Sequence, residues 1–414
     1  MAISTVSVAM GMAFWKILGF LYERRTPAFM VRSWRWASVG AGAPCETMLA
    51  GGADMVSAAG FPFFSGVVLL RRVAGMCALL LWIGCGAVAA AQQMTLTGAG
   101  STFAYPLYSK WAAEYLKTHP RIQVNYQSIG SGGGIRQVSI GTVDFGGTDG
   151  PMTDSQLAEA RTKLNGANIL HFPTALGAAV PVYNLPGVSA ELNFTSAALA
   201  GIFLGTIQKW NDPEIARANP GVKLPNEFIL VIHRADGSGT SFLWVDYLAK
   251  VNPAFAAKVR VSTSPHWPVG LGGKGNEGVA GLVRQMPNSI GYVELVYALN
   301  SHMLYGKIQN REGQFVKADL RSVSAAATAM SKLMPADFRA DITNPPGVGS
   351  YPVCSFTWML VPTRMADRAK GAALKEFLTW GLTDGQKYGA ALSYAPLSND
   401  IVDRELQALK LLQY

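Results

Sequence analysis

The sequence predicts an α/β protein with a mainly parallel sheet, and three observations support this fold class. Short runs rich in β-forming residues alternate with segments in which apolar residues recur every three or four positions. Four of these runs end in a turn of small residues, which is followed at once by a polar helix start. The 414 residues are 50% hydrophobic and 15% charged, a composition that supports a folded core and argues against disorder.

The N-terminal part has the features of an export signal over residues 67–91. An Arg-Arg pair precedes an uncharged apolar stretch, and the small residues up to Ala91 suit a signal peptidase. We therefore expect cleavage near Ala91 and interpret residues 1–66 as an over-extended reading frame. An uncleaved membrane anchor and a twin-arginine signal remain alternatives, whereas Trp82 disfavours lipid attachment at Cys85.

The four strand-turn-helix units follow in order along the rest of the chain. MTLTG (94–98) precedes a helix with apolar residues at every fourth position, and VNYQSIG (124–130) leads through three glycines into a shorter helix. VDFGGTD (143–149) precedes a helix with a capping sequence, and ILVIHRA (229–235) precedes an apolar helix face. Near the C-terminus, VCSFTWMLV (353–361) is typical of a buried strand.

Composition and motif spacing exclude several function classes. Cys354 is the only cysteine after residue 91, which excludes a disulfide and a thiolate metal site in the exported chain. The histidines are dispersed, and the glycine-rich segment around Lys274 lacks the Ser or Thr of a phosphate-binding P-loop. No serine nucleophile motif and no Lys/Arg cluster occurs. We therefore expect no catalysis, no metal, no cofactor and no nucleic acid.

Three of the helix starts present clustered hydrogen-bond donors. Helix N-termini offer unpaired N–H groups and a partial positive charge, so they bind anions, and Arg234 adds a planar fork that suits an oxyanion. Each Ser or Thr could instead be a simple N-cap. Asp236 could cap the helix or pair with Arg234, and Asp149 could be a turn residue. Their coincidence favours an anion site. The clusters are Ser101-Thr102-Phe103, Ser131-Gly132 and Ser238-Gly239-Thr240.

Five segments in fixed order closely resemble the periplasmic phosphate-binding proteins of high-affinity phosphate ABC importers. The resemblance covers residues 94 to 414 and rests on LTGAGSTFAYPLYSKW (96–111), SIGSGGGIRQ (128–137), VDFGGTDGPM (143–152), HRADGSGTSFLWVDYLAKVN (233–252) and WPVGLGGKGNEGVAGLV (267–283). It implies a type II periplasmic-binding fold in which two α/β lobes close on the anion. Lobe one would comprise residues 93–183 and 351–414, and lobe two residues 184–350.

The resemblance also implies a role for each motif residue. Thr102 and Ser131 would each bind phosphate through the hydroxyl and the N–H, and Phe103 through its N–H. Asp149 would accept a hydrogen bond, Arg234 would supply charge, and Asp236 would steady Arg234. Ser238, Gly239 and Thr240 would donate from lobe two. Thr148, Gly150 and Gly132 depart from the family pattern, and the missing hydroxyl at 132 would loosen the site.

The implied function is delivery of inorganic phosphate, in the periplasm, to the membrane permease and ATPase of an importer. The protein would act as a monomer. Two alternatives share the fold: a phosphate sensor or scavenger, and a binder of another tetrahedral oxyanion. Asp149 argues against the second, because phosphate has a proton for a carboxylate to accept and sulfate has none.

Overall fold

The computed structural model describes residues 93–330 and 334–414, all of which fall in the compact unit Cys85–Tyr414. The predicted signal at 67–91 and the segment 1–66 lie outside the described residues. The described part has the predicted α/β fold, with helices on a large mixed sheet. None of its helices combines the length and the hydropathy needed to cross a membrane.

The first elements alternate as the sequence predicts. They are β1 (Met94–Gly100), α1 (Tyr105–Thr118), β2 (Ile122–Ser128), α2 (Ser131–Ser139), β3 (Phe145–Thr148), α3 (Asp154–Lys163) and β4 (Ile169–Asn184). Strand β1 lies between β2 and β3 and is parallel to both. The predicted cap of α3 is a capping box, in which the side chain of Thr153 accepts from the N–H of Gln156 and the side chain of Gln156 accepts from the N–H of Thr153.

The central segment continues the alternation with shorter elements. They are β5 (Asn193–Phe194), α4 (Ser196–Leu204), α5 (Pro213–Ala218), β6 (Leu230–Arg234), α6 (Gly239–Val251), α7 (Pro253–Lys258), β7 (Leu271–Gly273), α8 (Gly275–Gln285), β8 (Ser289–Glu294), α9 (Leu295–Asn300), β9 (Lys307–Gln309), β10 (Phe315–Val316) and α10 (Leu320–Met330). Strand β6 is parallel to β7 and β8. The small strands β10, β9 and β5 form a separate sheet.

The C-terminal segment adds one long strand and two helices, β11 (Cys354–Pro362), α11 (Arg368–Leu382) and α12 (Asn399–Ala408). Short 3₁₀ helices lie at Asp384–Tyr388, Ala390–Leu392 and Leu409–Leu411. The predicted buried strand at 353–361 is therefore confirmed as β11. It is antiparallel to both β3 and β4.

Strand β4 joins the two halves of the main sheet, whose order is β2-β1-β3-β11-β4-β8-β6-β7. Its first part, up to Ala178, pairs with β11, and its last part, from Ala179 onward, pairs with β8. The strand is buried along nearly its whole length. The sheet is thus parallel towards both edges and antiparallel where β4 and β11 connect them.

Aromatic side chains fill the core on both sides of β4. Trp111 of α1 is fully buried, packs edge-on against Phe377 and donates its indole N–H to the Gly385 carbonyl over 2.8 Å. On the other side, Trp244 of α6 stacks on Tyr292 of β8, with ring centres 5.1 Å apart. This packing holds the first turns of α1 and α6 against the sheet.

Candidate functional site

The candidate site lies where the carboxyl ends of β1, β3 and β6 meet the first turns of α1, α2, α6 and α8. Strands β1 and β3 are parallel, so their carboxyl ends lie at one edge of the sheet, which is where α/β proteins place ligands. All nine residues that the sequence assigned to the site lie in this region. Those residues are Thr102, Phe103, Ser131, Asp149, Arg234, Asp236, Ser238, Gly239 and Thr240.

Asp149, which follows β3, has a buried carboxylate whose two oxygens differ in their partners. Oδ1 accepts from Ser101 Oγ over 2.5 Å and from Thr357 Oγ1 over 2.7 Å. Oδ2 accepts from Ser131 Oγ over 3.2 Å, its one hydrogen bond from the described residues. A carboxylate oxygen has about two lone-pair sites, so Oδ2 retains room for one more donor.

Burial raises the pKa of Asp149 to about 6, although the hydroxyls of Ser101, Thr357 and Ser131 and the charge of Arg234 act to lower it. The carboxyl group is therefore ionised above pH 6, but at a cost in folding free energy. Among the described residues this carboxylate has no counter-ion in direct contact, and a buried acceptor with a shifted pKa is typical of a functional site.

We expect Asp149→Asn to stabilise the unliganded protein at pH 7 but not at pH 4. A carboxyl with a raised folded-state pKa favours folding while protonated, and this contribution is lost as the pH rises through about 6. The shift from 3.8 to about 6 corresponds to roughly 3 kcal/mol at pH 7. Urea unfolding of both proteins without phosphate measures the difference, and a difference that does not change between pH 4 and pH 7 would contradict the raised pKa.

Arg234, at the end of β6, is buried and held by a bidentate ion pair. Its Nε and Nη2 donate to Asp236 over 2.8 and 2.5 Å, and Nη1 donates to Thr240 Oγ1 over 3.3 Å. Burial acts to raise the pKa of Asp236, but the hydrogen bonds and charge of Arg234 outweigh it, so this pKa lies below its usual value. These bonds use three of the five guanidinium N–H groups, which leaves one on each terminal nitrogen.

Thr102 and Thr240 are bridged by a residue that the sequence analysis did not assign. The side-chain amide of Asn276, in the first turn of α8, donates to Thr102 Oγ1 over 2.8 Å and to Thr240 Oγ1 over 3.3 Å. All three side chains are buried. The first turns of α6 and α8 therefore meet the segment before α1 at one point.

Backbone N–H groups provide a second set of donors at the site. The N–H groups of five buried residues find no acceptor among residues 93–330 and 334–414, namely those of Thr102, Phe103, Ser131, Gly239 and Thr240. Ser131 and Gly239 are the first residues of α2 and α6, where N–H groups have no partner within the helix. Buried N–H groups without a partner are rare and costly, so this cluster indicates an anion.

Gly239 lies directly against Asp149 and Ser131. A Cβ added to Gly239 would be 2.5 Å from Asp149 Oδ2 and 2.6 Å from Ser131 Oγ. Such distances are shorter than a nonbonded contact allows, so glycine is required for this approach. The start of α6 and the end of β3 consequently face each other with no side chain between them.

Some predicted donors also have structural roles. Ser238 Oγ caps α6 by accepting from Ser241 N over 3.0 Å, and its own N–H donates to the Thr263 carbonyl. The capping interpretation therefore holds for Ser238, whose hydroxyl hydrogen stays available. Ser101, included in the first donor cluster, instead donates its hydroxyl to Asp149 and accepts from Ala104 N. The Phe103 carbonyl accepts from Tyr394 OH.

Two contacts join residues 130–132 to residues 236–237 beside the site. Gly132 N donates to the Gly237 carbonyl over 2.9 Å, and Gly130, at φ +85°, lies so close to the Asp236 carboxylate that a Cβ would overlap it. From the sequence, we expect the missing hydroxyl at position 132 to loosen the site. The structure places the backbone of Gly132, rather than a side chain, in this contact.

Three residues of the site are not predicted from the sequence. Asn276 is in the segment GLGGKGNEG, which lacks a P-loop and contributes to the family resemblance, but the resemblance assigned none of its residues to the site. Thr357 is in β11, and the signal that could have identified it is its position as a polar residue between apolar neighbours in a buried strand. Tyr292 of β8 accepts from the Arg234 N–H over 3.2 Å and shares a 2.7 Å hydrogen bond with Ser241 Oγ, and no local motif marks it. Within the described ranges, no cluster of His, Cys, Asp and Glu has the size of a metal site.

Known proteins resemble the chain over the same region. A model described as the PBP superfamily domain matches residues 86–384. A phosphate-binding protein PstS of Xylella fastidiosa is 44% identical over 312 residues, which cover 75% of this chain and 84% of that protein. The phosphate-binding protein PstS of Pasteurella multocida is 41% identical over 314 residues, which cover 76% and 89%.

Solved structures share the fold at lower identity. The high affinity periplasmic phosphate-binding protein PfluDING, bound with phosphate, aligns with a TM-score of 0.61 and 20% identity, covering 76% of this chain and 93% of its own. The phosphate binding protein from Stenotrophomonas maltophilia aligns with a TM-score of 0.60 and 18% identity over the same shares. The family model and the relatives above 40% identity show that the chain belongs to the PBP superfamily and, within it, to the family of the phosphate-binding proteins PstS.

Proposed function

We propose that this protein binds inorganic phosphate in the periplasm and delivers it to the permease and ATPase of an ABC importer, without any chemical conversion. The names of its relatives support phosphate as the ligand. The observation that carries the proposal is the buried Asp149 carboxylate, whose Oδ2 has room for one more donor. Export through the signal at 67–91, cleavage near Ala91 and a monomeric state are parts of the same proposal.

The charge and donor pattern of the site suits a protonated tetrahedral anion. The site combines five backbone N–H groups, the two remaining N–H groups of Arg234 and the buried carboxylate of Asp149, whereas the carboxylate of Asp236 is engaged by Arg234. Phosphate near neutral pH carries negative charge for the donors and keeps at least one O–H for the carboxylate. Sulfate offers no O–H, so it would place an oxygen lone pair against Asp149 Oδ2.

We assign the roles from these contacts. Thr102, Phe103 and Ser131 would donate from lobe one, and Ser238, Gly239 and Thr240 would donate from lobe two. Arg234 would supply two N–H groups, with Asp236 fixing its orientation, and Asp149 would accept the phosphate proton. The lobes would be residues 93–183 with 351–414, and residues 184–350.

Calorimetry of the exported chain tests the ligand. The protein is unfolded and refolded to remove carried-over ligand and is then titrated with phosphate, sulfate and arsenate. We expect phosphate and arsenate, which both carry an O–H, to bind more tightly than sulfate. Binding of sulfate as tightly as phosphate, or of neither, would contradict the proposal.

Delivery to an importer needs a separate experiment. We expect a strain that lacks the gene to lose uptake of labelled phosphate at low concentration, and we expect the protein to recover permease subunits in a pull-down. Normal uptake in that strain would favour a sensor or scavenger of the same fold instead.

A further inference from the structure

Asn276 lies between Thr102 and Thr240 in the candidate site, where its backbone N–H and side-chain amide make four hydrogen bonds and the residue is fully buried. Its backbone N and its Nδ2 donate to Thr102 Oγ1 over 3.3 and 2.8 Å. The same Nδ2 donates to Thr240 Oγ1 over 3.3 Å, and Oδ1 accepts from Glu294 N over 3.0 Å. Both ends of the amide are therefore engaged.

The Glu294 contact determines which way the amide of Asn276 points. A backbone N–H can only donate, so the atom that faces Glu294 N must be the amide oxygen. The NH₂ group is consequently directed at the two threonines. Because NH₂ can only donate, each threonine hydroxyl must accept from it.

The lone pairs of both hydroxyls are then fully used. A hydroxyl has two acceptor sites and one hydrogen. Thr102 Oγ1 accepts twice from Asn276, and Thr240 Oγ1 accepts once from Asn276 and once from Arg234 Nη1. Each hydroxyl therefore keeps a single capacity, which is to donate its own hydrogen.

We infer that Asn276 is a positioning residue that commits the hydroxyls of Thr102 and Thr240 to donate to the bound anion. This inference rests on the proposed phosphate site and deepens it. Without such a residue a hydroxyl can rotate and present a lone pair to the ligand. With Asn276 in place, both hydroxyls repel any ligand that offers hydrogens at these positions and favour one that offers only oxygen lone pairs. The carboxylate of Asp149 then remains as an acceptor for a ligand O–H.

The substitution Asn276→Asp tests this role, because aspartate has the same shape and still accepts from Glu294 N. Its second oxygen can only accept, so it would draw both threonine hydrogens away from the anion. We expect phosphate binding, measured by calorimetry, to weaken by at least about 100-fold, since two hydrogen bonds to a charged ligand are lost. Asn276→Ala lets the hydroxyls rotate freely, so we expect it to weaken binding less than Asn276→Asp.

A double-mutant cycle separates hydroxyl orientation from the added negative charge. In a Thr102→Val, Thr240→Val background there are no hydroxyls to turn, and Asn276→Asp acts through its charge alone. We expect its effect there to be at least about tenfold smaller than in the native background. Circular dichroism of each variant without phosphate verifies that it is folded.

The outcomes distinguish this inference from the proposed function. Equal fold-losses from Asn276→Asp in both backgrounds, or a larger loss from Asn276→Ala, would mean that Asn276 acts through charge or packing, and would overturn its positioning role alone. Failure of the native chain to bind phosphate in the same titrations would instead contradict the proposed function.

Discussion

Replacing Asp149 by asparagine is expected to reduce the preference for phosphate over sulfate by at least about 100-fold, because sites that hydrogen-bond one ligand group can reject its analogue by about 10⁴ to 10⁵. Ser101 and Thr357 both donate to Oδ1, so they favour the amide oxygen at that position. The NH₂ group then takes the place of Oδ2 and faces the ligand. It can donate to a sulfate oxygen, whereas the carboxylate can only repel one. Competition calorimetry with both anions, above pH 7, measures the ratio of dissociation constants.

Asp144→Asn is the matched control for this experiment. Asp144 lies just before the start of β3, whereas Asp149 lies just after its end, so the same change is made at the opposite end of one strand. Its carboxylate accepts from Thr97 N and from Lys370 Nζ, over 2.7 and 3.0 Å, and contacts no residue of the site. The control should keep the native selectivity. Unchanged sulfate rejection in Asp149→Asn would refute the acceptor role of Asp149.

The parts of the site that sequence could predict are those with local signals. Ser131, Ser238 and Gly239 stand directly at helix starts, and Arg234 and Asp236 are two residues apart, so strand ends, turns and caps marked them. These positions are all present at the site in the structure. Local chain geometry also explains why a helix was predicted after each of the four strand ends, where α1, α2, α3 and α6 lie.

The parts that sequence could not predict depend on contacts between distant segments. Thr357 reaches Asp149 from a strand 208 residues away, and Asn276 reaches Thr102 across 174 residues. No periodicity encodes such a pairing. Strand β4 was missed for a different reason, because it is buried along nearly its whole length and contains Pro173 and Pro181, so it lacks the alternation that identifies a half-exposed strand.

Gly239→Ala is expected to weaken phosphate binding by at least about 100-fold, because withdrawing two N–H donors from a charged ligand costs about that factor. The added Cβ would lie 2.5 Å from Asp149 Oδ2 and 2.7 Å from Asp149 Cβ. The Asp149 side chain cannot move aside, because Ser101 and Thr357 hydrogen-bond to its other oxygen. The start of α6 must therefore shift away from Asp149, and this shift moves the N–H groups of Gly239 and Thr240 away from the anion.

Gly132→Ala makes the same chemical change at a helix start with a milder contact. Its Cβ would lie 3.0 Å from Gly237 Cα, which a shift of a few tenths of an ångström relieves. Both glycines are in the first turn of a helix and neither has a positive φ, so alanine itself is favourable at each backbone position. Calorimetry should therefore show less than about a tenfold loss for Gly132→Ala, with thermal unfolding of both unliganded variants close to native. Near-native affinity of Gly239→Ala would contradict this prediction. It would mean that the start of α6 does not lie against Asp149 in the phosphate-bound protein, because the methyl group clashes with Asp149 only in that arrangement.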